Sequence, residues 1–370
     1  MKIAVVKEIK DKENRVALTP EGAKKLIDGG NEVLVENNAG LNSGFENNEY
    51  SDAGAEIVDT EKAWSADLVI KVKEPLEQEY EFLRENQMVF TYFHLAGVTK
   101  TLTESLVQKK TTAIAYETVE NESGKLPLLA PMSAVAGNMS VTIGSYYLAK
   151  FNNGKGMQLG SVLGKKYGKV VVIGDGVVGK HAAKVAYGMG SNVFLFTRQE
   201  DRSESLKEEI GAELNCVLST KENIAAHLKD ADLVVGAVLL HGAKAPYVVT
   251  EDMIKTMQPG SVIVDVSIDQ GGCIETAKPT KHSDPIYEKH GVTHYCVTNM
   301  PGAYPRTSTI ALTSTTLPYA LKLAEKGIDA LKEDQGFAKG INTHQGFITC
   351  KPVAEALNMA DKFKDMKELI

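Results

Sequence analysis

Val170-Val171-Val172-Ile173-Gly174-Asp175-Gly176-Val177-Val178-Gly179 is the stretch whose reading decides the fold. Four β-branched residues in a row predict a strand buried on both faces. Gly174, Gly176 and Gly179 follow in the spacing G-x-G-x-x-G. The run Lys180–Met189 has a helical pattern, and Gly190 stands where a helix would stop. A glycine turn between strand and helix lets the backbone approach a pyrophosphate. The first N–H groups of the helix and its partial positive charge then hold that anion. Gly176 allows the close approach, and Gly179 allows the helix to pack tightly on the strand. The spacing alone also occurs in purely structural turns. A strand before it and a helix after it make dinucleotide binding the reading.

At 370 residues, two domains are expected. A hydrophobic share of 43% and a charged share of 24% are those of an ordinary globular protein, enough for two cores without staples. A net charge of −7 argues against a nucleic-acid or acidic-membrane surface. Cys216, Cys273, Cys296 and Cys350 are scattered, which suggests reduced thiols in a cytoplasm and neither a disulfide frame nor a metal site. No basic stretch followed by a signal-type apolar run is present, and no apolar run approaches the length of a membrane span.

Working outward, the N-terminal part alternates strand and helix. Strands are expected at Ile3–Val6, Glu32–Glu36, Leu68–Val72, Met88–Phe93 and Thr112–Tyr116. Thr19 caps a helix with Pro20 at its first position, and Gly29-Gly30 ends it. Helical stretches are expected at Glu79–Glu85 and Thr101–Lys110, and loops at Asn37–Asn48 and Asn152–Gly168. A long apolar helix near Ala134–Lys150 reads as a connector. Beyond the glycine turn come apolar strands at Asn192–Phe196, Asn215–Leu218, Leu233–Leu239, Val262–Val266 and His294–Val297. Ser308–Leu323 and Ile328–Phe337 look helical, and the C-terminal stretch is expected to return to the first domain. The fold class is α/β: two Rossmann-like domains with parallel sheets and an active site in the interdomain cleft. The domains are expected at 1–128 plus 307–370 for substrate, and 129–306 for the dinucleotide.

In parallel sheets ligands sit outside the carboxyl ends of the strands. Arg15, Lys73, His94 and Glu117 all follow strands at that end and should share one rim. An imidazole titrates near pH ~6.5, which suits His94 to acid/base work, although a surface histidine is the bland alternative. Arg15 offers a planar fork for a carboxylate. Alternation points Lys71 and Lys73 to the same side, so one of the two could be merely solvated. Asp269, before Gly271-Gly272, either opens onto the cleft or forms the turn, and Asp265 inside its strand reads as structural.

Along its whole length the chain resembles the bacterial alanine dehydrogenase family. The resemblance rests on Glu13–Ala17, Lys71–Pro75, His94–Ala96, Ala115–Val119, Leu128–Met132, Gly188–Gly190, Ala231–Leu239, Gly242–Pro246, Ile268–Cys273, Asn299–Pro301, Thr307–Thr309 and Ala311–Thr313, all in one order. It implies reversible oxidative deamination of L-alanine to pyruvate and ammonium with a nicotinamide cofactor. It assigns Arg15 and Lys73 to substrate binding, His94 to proton transfer, and Asp269 to catalysis beside it. Family cofactor contacts map onto Ser133, Val177, Val178, Thr197, Arg202, Ser219, Val238, Leu239, Lys278, Val297, Asn299 and Met300; the glycine turn adds Gly174, Gly176 and Gly179, and Arg198 and Val266 complete the expected cofactor site. The resemblance implies a hexamer in the cytoplasm. Alternatives within the same superfamily are an opine-type NADP-dependent amino-acid reductase and the soluble nucleotide-binding portion of a transhydrogenase.

One feature departs from the dinucleotide pattern. The second strand should end in an acid that binds the ribose hydroxyls of NAD, about 20 residues beyond the glycine turn. Thr197 stands there, followed by Arg198 and then Arg202. Missing negative charge and added guanidinium would attract a 2′-phosphate, so NADP use is expected. The other reading is that Glu200 or Asp201 reaches back to the ribose and NAD is kept.

Overall fold

A computed structural model describes residues 1–238 and 247–369. Contacts divide the chain into two units, Met1–Met132 with Tyr304–Ile370, and Ser133–Ala303. The first crossing falls inside the helix Ala130–Leu148.

The first unit begins with β1 (Lys2–Val5), β2 (Glu32–Glu36), β3 (Glu56–Val58), β4 (Leu68–Lys73), β5 (Met88–Tyr92) and β6 (Thr112–Ala115). The second holds β7 (Gly160–Val162), β8 (Lys165–Tyr167), β9 (Lys169–Ile173), β10 (Asn192–Thr197), β11 (Asn215–Leu218), β12 (Leu233–Gly236), β13 (Val262–Asp265), β14 (Ile286–Lys289) and β15 (Val292–Tyr295). β16 (Ile341–His344) and β17 (Phe347–Ile348) belong to the first unit again.

Its sheet runs β17-β16-β6-β5-β4-β1-β2-β3. β1 to β6 are parallel, and β16 and β17 add an antiparallel edge. The C-terminal return thus brings two strands as well as helices. β17 escapes a sequence reading because it is two residues long. The sheet of the second unit runs β11-β10-β9-β12-β13-β15-β14 and is parallel except for β14. Numbered from β9, its parallel strands stand in the order 3-2-1-4-5-6 of a dinucleotide-binding fold.

Both faces of this second sheet are covered, which is why its strands read as unbroken apolar runs. Val170, Val172, Leu195, Val235 and Val264 pack on one side. Val171, Ile173, Phe196, Val234 and Ile263 pack on the other. Burying each such side chain stabilises by roughly 1.5–3 kcal/mol.

Several local expectations change. The helix Pro20–Asp28 is as read, with the Thr19 hydroxyl accepting from the Gly22 N–H at 3.2 Å. Glu77–Phe82 is a 3-10 helix, not an α-helix. The expected loop Asn37–Asn48 contains a 3-10 turn at Leu41–Ser43 and the start of the helix Asn47–Asp52. The expected loop Asn152–Gly168 contains the β7–β8 hairpin, whose tip exposes Leu163. Ile328–Phe337 is two short helices, broken where Asp334 leaves helical backbone and caps the second through the Phe337 N–H. Among the described residues no helix is long and apolar enough to cross a membrane, and no group of His, Cys, Asp and Glu could hold a metal ion. The four cysteines are free thiols.

Candidate active site

The strands β1, β4, β5 and β6 lie side by side, and each delivers a polar group at its carboxyl end. Arg15 is on the loop after β1 and is only 2% exposed. Its Nε donates to Glu13 Oε1 and its Nη2 to Glu13 Oε2, both at 2.6 Å, and its Nη1 lies 3.1 Å from Met132 Sδ. Burial alone would depress the pKa of the guanidinium. The charge and hydrogen bonds of Glu13 more than offset this, so it is raised and the cation is kept.

Lys73 ends β4, and Lys71 does not share its face. Ile70 pairs with Phe90 but Lys73 pairs with Tyr92, three residues against two. This bulge carries Lys73 to the side of Ile70, opposite Lys71. Lys71 is fully buried rather than solvated, 2.8 Å from Glu79 Oε1 and 3.6 Å from Glu8 Oε2. Glu8 Oε1 accepts the N–H of Val72 at 2.6 Å and of Lys73 at 3.3 Å, so it fixes the bulge that aims Lys73. The Thr91 hydroxyl donates to the Lys73 carbonyl.

Burial pushes the Glu8 carboxyl up to about 7, against the pull of Lys71. An unfolded glutamate ionises near its ordinary value of 4.5. Between those pH values the folded chain holds a proton that the unfolded chain has released. Stability therefore falls as pH rises through that window and levels off above it. Glu8→Gln keeps an acceptor for the two N–H groups and removes the titration. Urea midpoints measured across the window should diverge, the variant gaining on the parent toward neutral pH. Parallel curves would contradict the burial argument.

His94 follows β5 with left-handed backbone, φ 48° and ψ 38°. Its N–H donates to Glu117 Oε1 at 2.6 Å, and the Phe93 N–H lies 3.3 Å from Glu117 Oε2. The imidazole stacks on Tyr92 with ring centres 5.8 Å apart, and Nδ1 lies 3.8 Å from Glu117 Oε1. Glu117 therefore bridges the ends of β5 and β6 and holds the strained residue that presents the imidazole. Arg15, Lys73, His94 and Glu117 stand on one rim. Sequence reasoning missed Glu8, Glu13 and Glu79. The available signal was their spacing among Lys7, Lys10, Arg15 and Lys71, since buried cations need acidic partners.

In the second unit the glycine turn joins β9 to the helix Val177–Gly188. Gly174 has φ +109°, and a Cβ there would lie 2.4 Å from the Ala237 carbonyl oxygen. A Cβ on Gly179 would lie 1.7 Å from the Gly174 oxygen, so no other residue fits without moving the turn. A Cβ on Gly176 would meet only open space. The helix start carries no side-chain cap, so its first N–H groups lack intrahelical acceptors. Open space at Gly176 beside these donors fits a pyrophosphate. Ser133 lies one helical turn before Gly137, whose own close approach is to the Val178 carbonyl, 2.4 Å from a built Cβ.

Thr197 ends β10, buried, and its hydroxyl donates to Asp175 Oδ2 at 2.9 Å. Arg202 Nη1 reaches the same oxygen at 2.5 Å, Arg198 is exposed, and the Ser219 N–H donates to the Thr197 carbonyl. Val266 and Asp269 lie in the turn Val266–Gln270 after β13. Asp269 is exposed, with the Asn299 N–H 3.3 Å from Oδ1. Asp265 accepts the N–H groups of Ser267, Cys273 and Ile274, and burial pushes it up to about 6, a structural role as read. Val297 and Met300 are buried beside Asn299, and the Lys278 N–H donates to the Tyr287 hydroxyl. Val238 is half-buried. Leu239 and the stretch Gly242–Pro246 lie outside the described residues.

Comparison with known proteins agrees with this arrangement. Residues 4–136 match the Alanine dehydrogenase/PNT N-terminal domain, and residues 140–351 match the Alanine dehydrogenase/PNT C-terminal domain. An alanine dehydrogenase of Staphylococcus epidermidis is 53% identical over 97% of both chains. Alanine dehydrogenase 2 of Staphylococcus aureus is 51% identical over the whole of both. A solved L-alanine dehydrogenase superposes with a TM-score of 0.93 at 45% identity, covering 97% of this chain and 99% of that one. A transhydrogenase from Sinorhizobium meliloti shares the fold, with a TM-score of 0.80 at 24% identity over 95% and 99% of the two chains. Two domain patterns that together span most of the sequence, and relatives half identical from end to end, show that the chain belongs to the alanine dehydrogenase/PNT family.

Proposed function

We propose that this chain catalyses the reversible oxidative deamination of L-alanine. Alanine, water and oxidised cofactor give pyruvate, ammonium, reduced cofactor and a proton. The observation that carries the proposal is the rim of the first unit, where a buried arginine, a lysine aimed by a bulge and a histidine held by Glu117 stand at neighbouring strand ends. The names of the half-identical relatives support it.

Arg15 grips the substrate carboxylate, and Lys73 binds the oxygen that becomes the pyruvate carbonyl. His94 takes the proton from the attacking water and returns one on the way back. Asp269 supports the developing positive charge on nitrogen. The first unit is thus the substrate domain and the second the dinucleotide domain. When bound, the nicotinamide ring accepts hydride in one direction and donates it in the other. Ser133, Val177, Val178, Thr197, Arg202, Ser219, Val238, Lys278, Val297, Asn299 and Met300 would hold the cofactor around the three glycines.

Purified full-length chain should form reduced cofactor with alanine, and consume it with pyruvate plus ammonium. Failure of both reactions would overturn the proposal. Turnover with ornithine or lysine in place of ammonium would favour an opine-type reductase. Transfer of hydride between two nucleotides without alanine would favour a transhydrogenase component.

The cofactor is NAD, with NADP accepted as well. Thr197 in place of an acid, with Arg198 and Arg202 close in sequence, supports the second part. Asp175 limits it, because its carboxylate engages one of the two guanidiniums. Steady-state kinetics should show measurable kcat/KM with NADP, and its absence would remove that part. The cytoplasmic homohexamer implied by the resemblance is also proposed, supported by the exposed apolar side chains of Phe151 and Leu163. Light scattering on the purified protein tests it.

A further inference from the structure

The acid expected at the end of β10 is absent, yet a carboxylate stands against that strand end. It comes from Asp175, the residue between the first two glycines of the turn. Its Oδ2 accepts from the Thr197 hydroxyl at 2.9 Å and pairs with Arg202 Nη1 at 2.5 Å. The Asp175 side chain is 16% exposed and the Arg202 side chain 40% exposed, so the pair lies at the surface of the turn and not in the core. Glu200 and Asp201, the acids that could have reached back, are exposed. In a strand–turn–helix unit of this type the adenosine ribose lies between the glycine turn and the end of the second strand. Thr197 ends that strand and Asp175 belongs to that turn.

We infer that Asp175 is the residue that sets cofactor choice in this chain. It replaces the strand-end acid as acceptor for the ribose 2′-hydroxyl, and it keeps Arg202 neutralised. This rests on the dinucleotide reading of the second unit. With NAD, the carboxylate accepts from the 2′-hydroxyl while the Arg202 pair survives. With NADP, the 2′-phosphate meets a like charge, and Arg202 must leave Asp175 to bind it. Thr197 fixes the carboxylate between the two roles, because its hydroxyl donates to the same oxygen that Arg202 uses. A simple strand-end threonine with two arginines would favour the phosphate. The third partner reverses that balance.

The test uses two half-cofactors, 5′-AMP and 2′,5′-ADP, titrated calorimetrically into the full chain. Asp175→Asn keeps the size and an acceptor for Thr197 but loses the charge. The affinity ratio of 2′,5′-ADP to 5′-AMP should rise by roughly tenfold or more, the weight of one charge-assisted hydrogen bond. Arg202→Leu should lower the same ratio, the loss falling on 2′,5′-ADP more than on 5′-AMP. Retained 5′-AMP binding shows that each variant is folded. An unchanged or falling ratio in Asp175→Asn, with 5′-AMP still bound, overturns the role of Asp175 alone. Binding of neither nucleotide by the parent chain overturns the dinucleotide reading with it.

Discussion

His94→Asn is expected to lower kcat for alanine by about 10²- to 10⁴-fold, the usual weight of a positioned acid/base group. Binding of reduced cofactor should be unchanged, because the glycine turn and the end of β10 lie in the other unit. Asparagine is the informative choice on backbone grounds. His94 sits at φ 48°, where asparagine is tolerated and alanine would add about 1–2 kcal/mol of strain. An alanine variant could fail because the turn after β5 relaxes, and the lost imidazole would be credited wrongly. The N–H that bonds Glu117 is kept in either case. Rescue by added imidazole would separate lost chemistry from lost structure. Near-normal turnover in a folded His94→Asn variant would remove His94 from the reaction.

The parts of this site legible in the sequence are those whose position follows from a strand end. His94 and Glu117 sit just beyond an apolar run and Arg15 on the loop after one, and a parallel sheet brings such ends together whatever the distance in sequence. The glycine turn is legible because its geometry tolerates no substitute at Gly179. What the sequence hides is pairing. Alternation places Lys71 and Lys73 together, and a single bulge separates them, burying one as an ion pair and leaving the other at the rim. No local pattern in Ile70–Lys73 announces a bulge, because the cause is Glu8, more than sixty residues earlier. Asp175 is hidden in the same way. As a letter between two glycines it is a turn residue, and only the fold brings it to Thr197 and Arg202. The short strands β3 and β17 are illegible because two or three residues cannot show a period.

Arg15→Met should do two things that a second substitution can separate. Its guanidinium is buried and forked onto Glu13, whose side chain has no exposed surface. Removing the cation takes the fork away from a buried carboxylate, a loss of about 3–5 kcal/mol in stability. Adding Glu13→Gln removes that charge, and the double variant should regain most of the loss. Activity should not follow stability. Arg15 is proposed to grip the substrate carboxylate through its planar guanidinium. Two charge-assisted hydrogen bonds at roughly 1.5–3 kcal/mol each predict a fall in kcat/KM for alanine of about 10²- to 10⁴-fold in both variants. Denaturant melts and alanine kinetics on the parent, the single variants and the double variant complete the cycle. If the double variant recovered kcat/KM together with stability, Arg15 would be a core ion pair and nothing more, and the carboxylate of alanine would need another partner on the rim.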